Sequence, residues 1–255
     1  MSERAALSAV LITLNAAAQL EACLESLSFC DEILIVDSGS TDGSVELAQR
    51  HGARVIPSAW RGYGAQKQFA VEQASHDWVL CIDADERVSE RLREAIASAL
   101  AAPGFLAYRF PRRNRFLGRY LRHGEGYPDW SLRLFHRRHA RWSDDAVHEK
   151  VLTGVAVGEL AGDLLHDSAE SLEAYLAKQN RYTTLAAEAA LARGERGSVV
   201  KLLLSPPLRF IKFYFLRRGF LDGLPGLVHI LIGCGNSFAK YAKMLAFQAG
   251  RNESS

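Results

Sequence analysis

Cysteine is scarce in this 255-residue chain, and its four residues, Cys23, Cys30, Cys81 and Cys234, show no CxxC spacing. That argues against a disulfide framework and against a zinc site, and points to a reducing compartment. Cys81 lies inside an apolar run and reads as a small buried hydrophobe. Long apolar runs are lacking too, and the longest, near the C-terminus, are too short to span a bilayer. The opening residues, Met1 to Ala6, put no apolar core behind a basic stretch, so no signal peptide is expected. The expectation is a cytoplasmic protein. Internal repeats and low-complexity segments are absent. Acids are scarce in two regions although the net charge is only +2. Ten arginines between Arg109 and Arg141 are opposed only by Glu125 and Asp129. Seven bases between Val199 and Phe247 are opposed only by Asp222.

What is present is a regular alternation of apolar patterns. Residues 9–14 read as a buried strand, followed by Leu20, Cys23, Leu24 and Leu27 at helical spacing. A second strand, 32–36, ends at Asp37, and Gly39 to Gly43 form a turn and helix start capped by Ser40 or Thr41. A short strand at 54–56, a helix over about 65–74 and a strand at 78–82 follow. This order predicts a parallel sheet with helices on both faces. Further strand-like pieces lie at 106–110 and 132–135, and a long helix is predicted over about 168–192. Pro206-Pro207 and Pro225-Gly226 divide the tail into short helices. Two regions are expected: 1–165, an α/β domain, and 166–255, a helical region.

The most informative segment is Trp78-Val79-Leu80-Cys81-Ile82-Asp83-Ala84-Asp85-Glu86. A buried strand ends in three carboxylates within four residues. In open α/β sheets the carboxyl ends of strands face the ligand crevice. Two carboxylates separated by one small residue suit a hard divalent cation that must leave room for phosphate oxygens. The alternative is a surface turn leading into a helix, whose first turn favours acids. Asn15, Asp37 and Asp83 bring polar groups to one edge of the sheet. Asp37 can accept hydrogen bonds from a nucleobase or ribose, or can cap the helix after it.

Val36-Asp37-Ser38-Gly39-Ser40-Thr41-Asp42 and Ile82-Asp83-Ala84-Asp85-Glu86, in this order, resemble the inverting family 2 glycosyltransferases, over roughly residues 7–150. Ser38 departs from a second Asp common in that family. Gly62 to Gln68, Tyr127 to Phe135, Val147-His148-Glu149 and Phe215 to Gly223 bring the resemblance closer to the bacterial lipopolysaccharide-core branch. The resemblance implies a GT-A fold with C-terminal amphipathic helices. It also implies transfer of a hexose, glucose first, from a nucleotide diphosphate sugar, UDP-sugar first, to an inner-core or other lipid-linked glycan acceptor. A divalent metal, Mg or Mn, would neutralise charge on the departing diphosphate. Asp85 is the first choice as metal ligand, with His148 completing the shell or serving only structurally. Asp83 faces the nucleotide, with Asn15 and Asp37. Lys67 is placed at the diphosphate or on a solvated helix face. Glu86 is read as the start of the next helix. Asp129 matches the family's base, with Asp144, Asp145 and Glu149 as alternates. Its bland alternative is a surface pair with Arg133.

The arginine-rich stretch suits a polyanion such as a phosphorylated glycan, or is simply a solvated face. No recognised nucleic-acid module accompanies it, so no nucleic-acid partner is expected. The basic, aromatic tail suits helices lying on an anionic membrane, which would make the protein peripheral on the inner face of the cytoplasmic membrane. An ordinary helical subdomain is the alternative. Two rival functions are nucleotidyl transfer, which usually needs a glycine-rich basic loop that Asn15-Ala16-Ala17-Ala18 lacks, and non-catalytic binding of lipopolysaccharide or membrane.

Overall fold

The computed structural model describes residues 4–144, 149–168 and 171–252. The elements of the first part are β1 (Leu7–Thr13), α1 (Ala17–Ser26), β2 (Glu32–Asp37), α2 (Ser44–Arg50), β3 (Arg54–Pro57), α3 (Tyr63–Gln73) and β4 (Trp78–Cys81). Next come β5 (Glu86–Val88), α4 (Glu90–Ala101), β6 (Ala107–Phe116), β7 (Arg119–Tyr120), β8 (Asp129–His136), β9 (Ala140–Trp142), β10 (Val151–Thr153), β11 (Val157–Glu159) and β12 (Leu164–His166). The last are α5 (Leu172–Ala192), α6 (Val199–Phe210), a π-helical turn (Ile211–Leu216), a 3₁₀ turn (Gly219–Asp222) and α7 (Gly223–Asn252).

The chain divides into two compact units. The first runs to Arg113 and resumes over Asp129–Asp167; the second takes Asn114–Pro128 and the residues from Ser168 on. The division at 165/166 expected from the sequence keeps 114–128 with the first region, whereas the compact units group it with the second. Asp222, 1% exposed, draws that segment into the second unit. Its carboxylate accepts from the backbone N–H of Arg122 (2.9 Å) and His123 (2.7 Å).

In the first unit the sheet order is β3-β2-β1-β4-β8-β6-β12-β5. The four strands that alternate with helices are parallel. β8 then pairs antiparallel with both β4 and β6, Val79 lying opposite Phe135 and Tyr108 opposite Leu134. The α/β fold with GT-A-type sheet and C-terminal helices is the one expected. Strand alternation assigns each side chain to a face. Leu7, Ala9 and Leu11 of β1, with Trp78, Leu80 and Ile82, pack against α1 and α4 through Leu20, Leu24, Leu92 and Ile96. Val10, Val79 and Cys81 point the other way, toward Ala70 and Val71 of α3 and Trp142. Helices therefore cover both faces, and burying each large side chain stabilises by about 1.5–3 kcal/mol. Ser89 caps α4, accepting from Leu92 N (3.4 Å) and Asp163 N (3.0 Å).

The second unit corrects the division of the tail. Both Pro206 and Pro207 lie inside α6, and the chain widens to a π turn only after Phe210. Pro225 does not interrupt the tail but falls in the first turn of the 30-residue α7. There its missing N–H would have had no helical partner. α5 starts at Leu172 with Ser171 as its cap and packs on α7 through Ala187, Ala190 and Met244.

Candidate active site

The site lies along the carboxyl ends of the parallel strands. Parallel register sets Thr13 beside Asp37. Ile82, just past β4, donates its N–H to Val10 O at 3.1 Å. The Asp37 carboxylate is buried and holds its own turn. It accepts from Thr13 Oγ1 (2.8 Å), Gly39 N (2.9 Å), Ser40 N (2.8 Å) and Ser40 Oγ (2.5 Å). Burial alone would raise its pKa, but these four donors outweigh that and lower it. All four acceptor positions of a carboxylate are thereby used. Asn15, at φ 53°, likewise fixes the turn, accepting from Thr41 N at 2.9 Å. These two residues shape the turn after β2, with Gln66 donating to Ser38 Oγ at 3.2 Å.

The next strand end is an ion-pair chain. Lys67, on α3 and 8% exposed, reaches Asp83 Oδ1 at 2.9 Å and Glu149 Oε1 at 3.2 Å. It is therefore not on a solvated helix face. Gly64 lets α3 approach closely, because a Cβ there would collide with the Ser143 carbonyl oxygen. Lys67, one turn on, then lies over the Trp142 ring at 4.7 Å. Arg133 donates to the other Asp83 oxygen (2.9 Å) and lies 3.5 Å from Glu86 Oε1. Arg112 lies 3.5 Å from the same Glu86 oxygen and grips Asp129 Oδ2 through Nη2 (2.8 Å) and Nε (2.9 Å). The chain runs Glu149–Lys67–Asp83–Arg133–Glu86–Arg112–Asp129, four acids and three bases.

Burial would raise the Asp83 carboxyl, but the charges of Arg133 and Lys67 hold it well below the usual carboxylate range. Glu86 shifts the opposite way. Burial pushes it up, and the charge of Asp83 adds to this, against the opposing pull of Arg133 and Arg112. Burial works against the charge on Arg133, yet Glu86 and Asp83 raise its pKa further. Its Nη1 is buried with no partner among the described protein groups, a donor left over at the strand end.

Sequence patterns misplace or miss several groups of this site. Glu86 does not start the next helix: it is fully buried in β5, and accepts from Asp83 N at 3.0 Å. Asp129 pairs not with Arg133 but with Arg112, its direct cross-strand neighbour. Arg133, four residues along the same strand, is about 13 Å away along the backbone. Arg112 and Arg133 were visible only as members of an arginine-rich run. His166 of β12 was not singled out at all. Its Nε2 stands 3.1 Å from Asp85 Oδ2.

His148 and Asp145 lie outside the described residues. Asp144 is exposed and lies 3.7 Å from Arg141, away from the chain of pairs. Among the described residues no group of three His, Cys, Asp or Glu side chains is arranged to hold a metal. Asp85 and His166 supply one oxygen and one nitrogen donor. Such a set fits a divalent cation whose remaining positions are taken by substrate phosphates and water.

A strand edge that joins carboxylates to a buried lysine and arginine has the charges a diphosphate and its cation would need, a chemistry shared by nucleotide-dependent transferases. Comparison with known proteins narrows the class. A family model described as Glycosyl transferase family 2 matches residues 8–156. The chain belongs to that family and is a glycosyltransferase. It is 37% identical over 246 residues to the lipopolysaccharide core biosynthesis glycosyltransferase LpsC of Rhizobium meliloti (strain 1021), covering 93% of this chain and 91% of the relative. An uncharacterized glycosyltransferase of Rickettsia bellii (strain RML369-C) is 30% identical, covering 93% and 85% of the two chains. Among solved structures, glucosyl-3-phosphoglycerate synthase of Mycobacterium tuberculosis, in complex with Mn2+, UDP and glucosyl-3-phosphoglycerate, is 25% identical, with TM-score 0.36 and 44% of each chain covered.

Proposed function

We propose that this protein is an inverting, metal-dependent hexosyltransferase that moves a hexose, glucose first among the candidates, from a UDP-sugar to the inner core of lipopolysaccharide or a related lipid-linked glycan. It would work at the inner face of the cytoplasmic membrane. The observation that carries this reading is the ion-pair chain from Asp83 at the end of β4 to Asp129 at the start of β8. It joins a diphosphate-type site and a base candidate through the buried Arg133 and the half-buried Arg112. The acceptor class draws on the similarity to the lipopolysaccharide core enzyme of Rhizobium meliloti.

In this reading Asp129 takes the proton from the acceptor hydroxyl as its oxygen attacks the anomeric carbon opposite the leaving nucleoside diphosphate. Arg112 holds Asp129 at Oδ2 through both Nη2 and Nε, so Oδ1 is the oxygen offered to the acceptor. Lys67 and the spare Arg133 Nη1 are the cationic groups placed for the diphosphate. A divalent ion held by Asp85 and His166 would neutralise the charge that develops on the departing phosphate.

Replacing Asp129 with Asn should slow transfer by about a hundredfold or more, while UDP-sugar binding measured by calorimetry survives. Near-normal turnover in that variant rejects the assignment. Thermal shift with Mn2+ and a panel of nucleotide sugars identifies the donor, because a ligand at a hundred times its Kd stabilises by about 2.7 kcal/mol.

A further inference from the structure

In the second unit, α6 packs on α7, but the outward face of α6 and of the π turn after it is apolar and is covered by no other described residue. None of the residues from Val199 to Leu216 is buried within the chain. Val200 (64% exposed), Leu203 (63%), Leu204 (53%), Leu208 (61%), Phe215 (55%) and Leu216 (76%) make up most of this surface. The first four recur at helical spacing, so they form one stripe. Lys201, Lys212, Arg217 and Arg218 are exposed beside it. Only one acid, Asp222, occurs between Val199 and Gly250, and it is buried against the amides of Arg122 and His123. The exposed surface of this segment therefore carries bases and no acids.

We propose that α6 and the π turn lie in the headgroup layer of an anionic membrane, with Leu203, Leu208, Phe215 and Leu216 inserted and Lys212, Arg217 and Arg218 at the phosphates. The argument is charge complementarity joined to apolar exposure. A helix with an apolar stripe and a basic flank binds the surface of an anionic bilayer in just this way. Two copies of this face would bring base against base, which disfavours a homodimer through it. Among the described residues no helix is long and apolar enough to cross a membrane, so the segment lies along it. This rests on the membrane location proposed above and names the surface responsible. It is independent of which residue acts as base.

Flotation of the full-length protein with vesicles tests it. The wild type should float with phosphatidylglycerol-containing vesicles and stay behind with pure phosphatidylcholine. Removing three charges in Lys212→Gln/Arg217→Gln/Arg218→Gln should weaken binding on the order of a hundredfold, about fivefold per base. Leu203→Ser/Leu208→Ser/Leu216→Ser should abolish flotation even at low salt, while UDP-glucose hydrolysis with Mn2+ is retained. Since all three leucines are exposed, this variant keeps its core. Wild type that stays in the aqueous fraction, or leucine and charge variants that float normally, would overturn the proposal. So would a wild-type dimer in light scattering that the leucine variant converts to monomer without any change in flotation. Loss of UDP-glucose hydrolysis in the wild type would instead count against the transfer reaction and leave the membrane surface standing.

Discussion

Arg133 is the residue on which the site's electrostatics turn. It is 7% exposed and reaches both acids, 2.9 Å from Asp83 and 3.5 Å from Glu86. Arg133→Met keeps an unbranched side chain over Trp142 but leaves two carboxylates at the strand end with less compensation. Taking one partner from a buried ion pair costs about 3–5 kcal/mol. The cost should depend on pH, and its sign follows from Glu86. That carboxyl is already raised by burial, with Arg133 the largest opposing influence. Without Arg133 it rises further above its unfolded value of about 4.3. Between the two values the folded protein holds a proton that the unfolded chain has released. The variant therefore loses stability relative to wild type as pH climbs, by up to about 1.4 kcal/mol per pH unit. Urea unfolding followed by tryptophan fluorescence measures this cleanly, because Trp60, Trp78, Trp130 and Trp142 all belong to the first unit. The variant should be clearly weaker near pH 8 and recover toward wild type near pH 5. A stability difference below about 1 kcal/mol, or one that does not change with pH, would refute the reasoning.

Asp85→Asn should weaken Mn2+ binding in the presence of UDP by at least about tenfold, read by calorimetry; unchanged affinity would remove Asp85 from the metal site. Glu32 should matter for acid stability. Burial alone would raise its carboxyl, but hydrogen bonds from Ser8, Ser75 and Arg54 bring it down to about 2. Glu32→Gln should cost about 1–3 kcal/mol at neutral pH. That difference should shrink on acidification from about pH 4 toward pH 2, where the unfolded chain takes up a proton at Glu32 that the folded protein does not yet bind. Asp222→Asn should expose the backbone N–H groups of Arg122 and His123 to faster hydrogen exchange and leave β1 to β4 untouched. Unchanged protection at those two amides would show that Asp222 does not hold the 114–128 segment.

The amino-acid sequence alone determined the alternation of β1 to β4 with their helices, because side-chain periodicity is a local property. It also determined that Asp37, Asp83 and Asp85 stand at strand ends, since the apolar run stops just before each group. The expected base, Asp129, came from motif order. Tertiary structure decided which charges meet. The pairing of Arg112 with Asp129 depends on the antiparallel register of β6 on β8, which shifts at Tyr108/Arg109. Glu86 became a buried acid rather than a helix start because β12 pairs with β5 and places His166 opposite it. His166 meets Asp85 across 81 residues of chain. The two prolines of α6 failed as breaks because the helix tolerates them and relaxes into a π turn further on. Local patterns specify elements and the residues at their ends. Partners separated by tens of residues are chosen by strand register and by how burial strengthens charge, and neither is written in any short stretch of sequence.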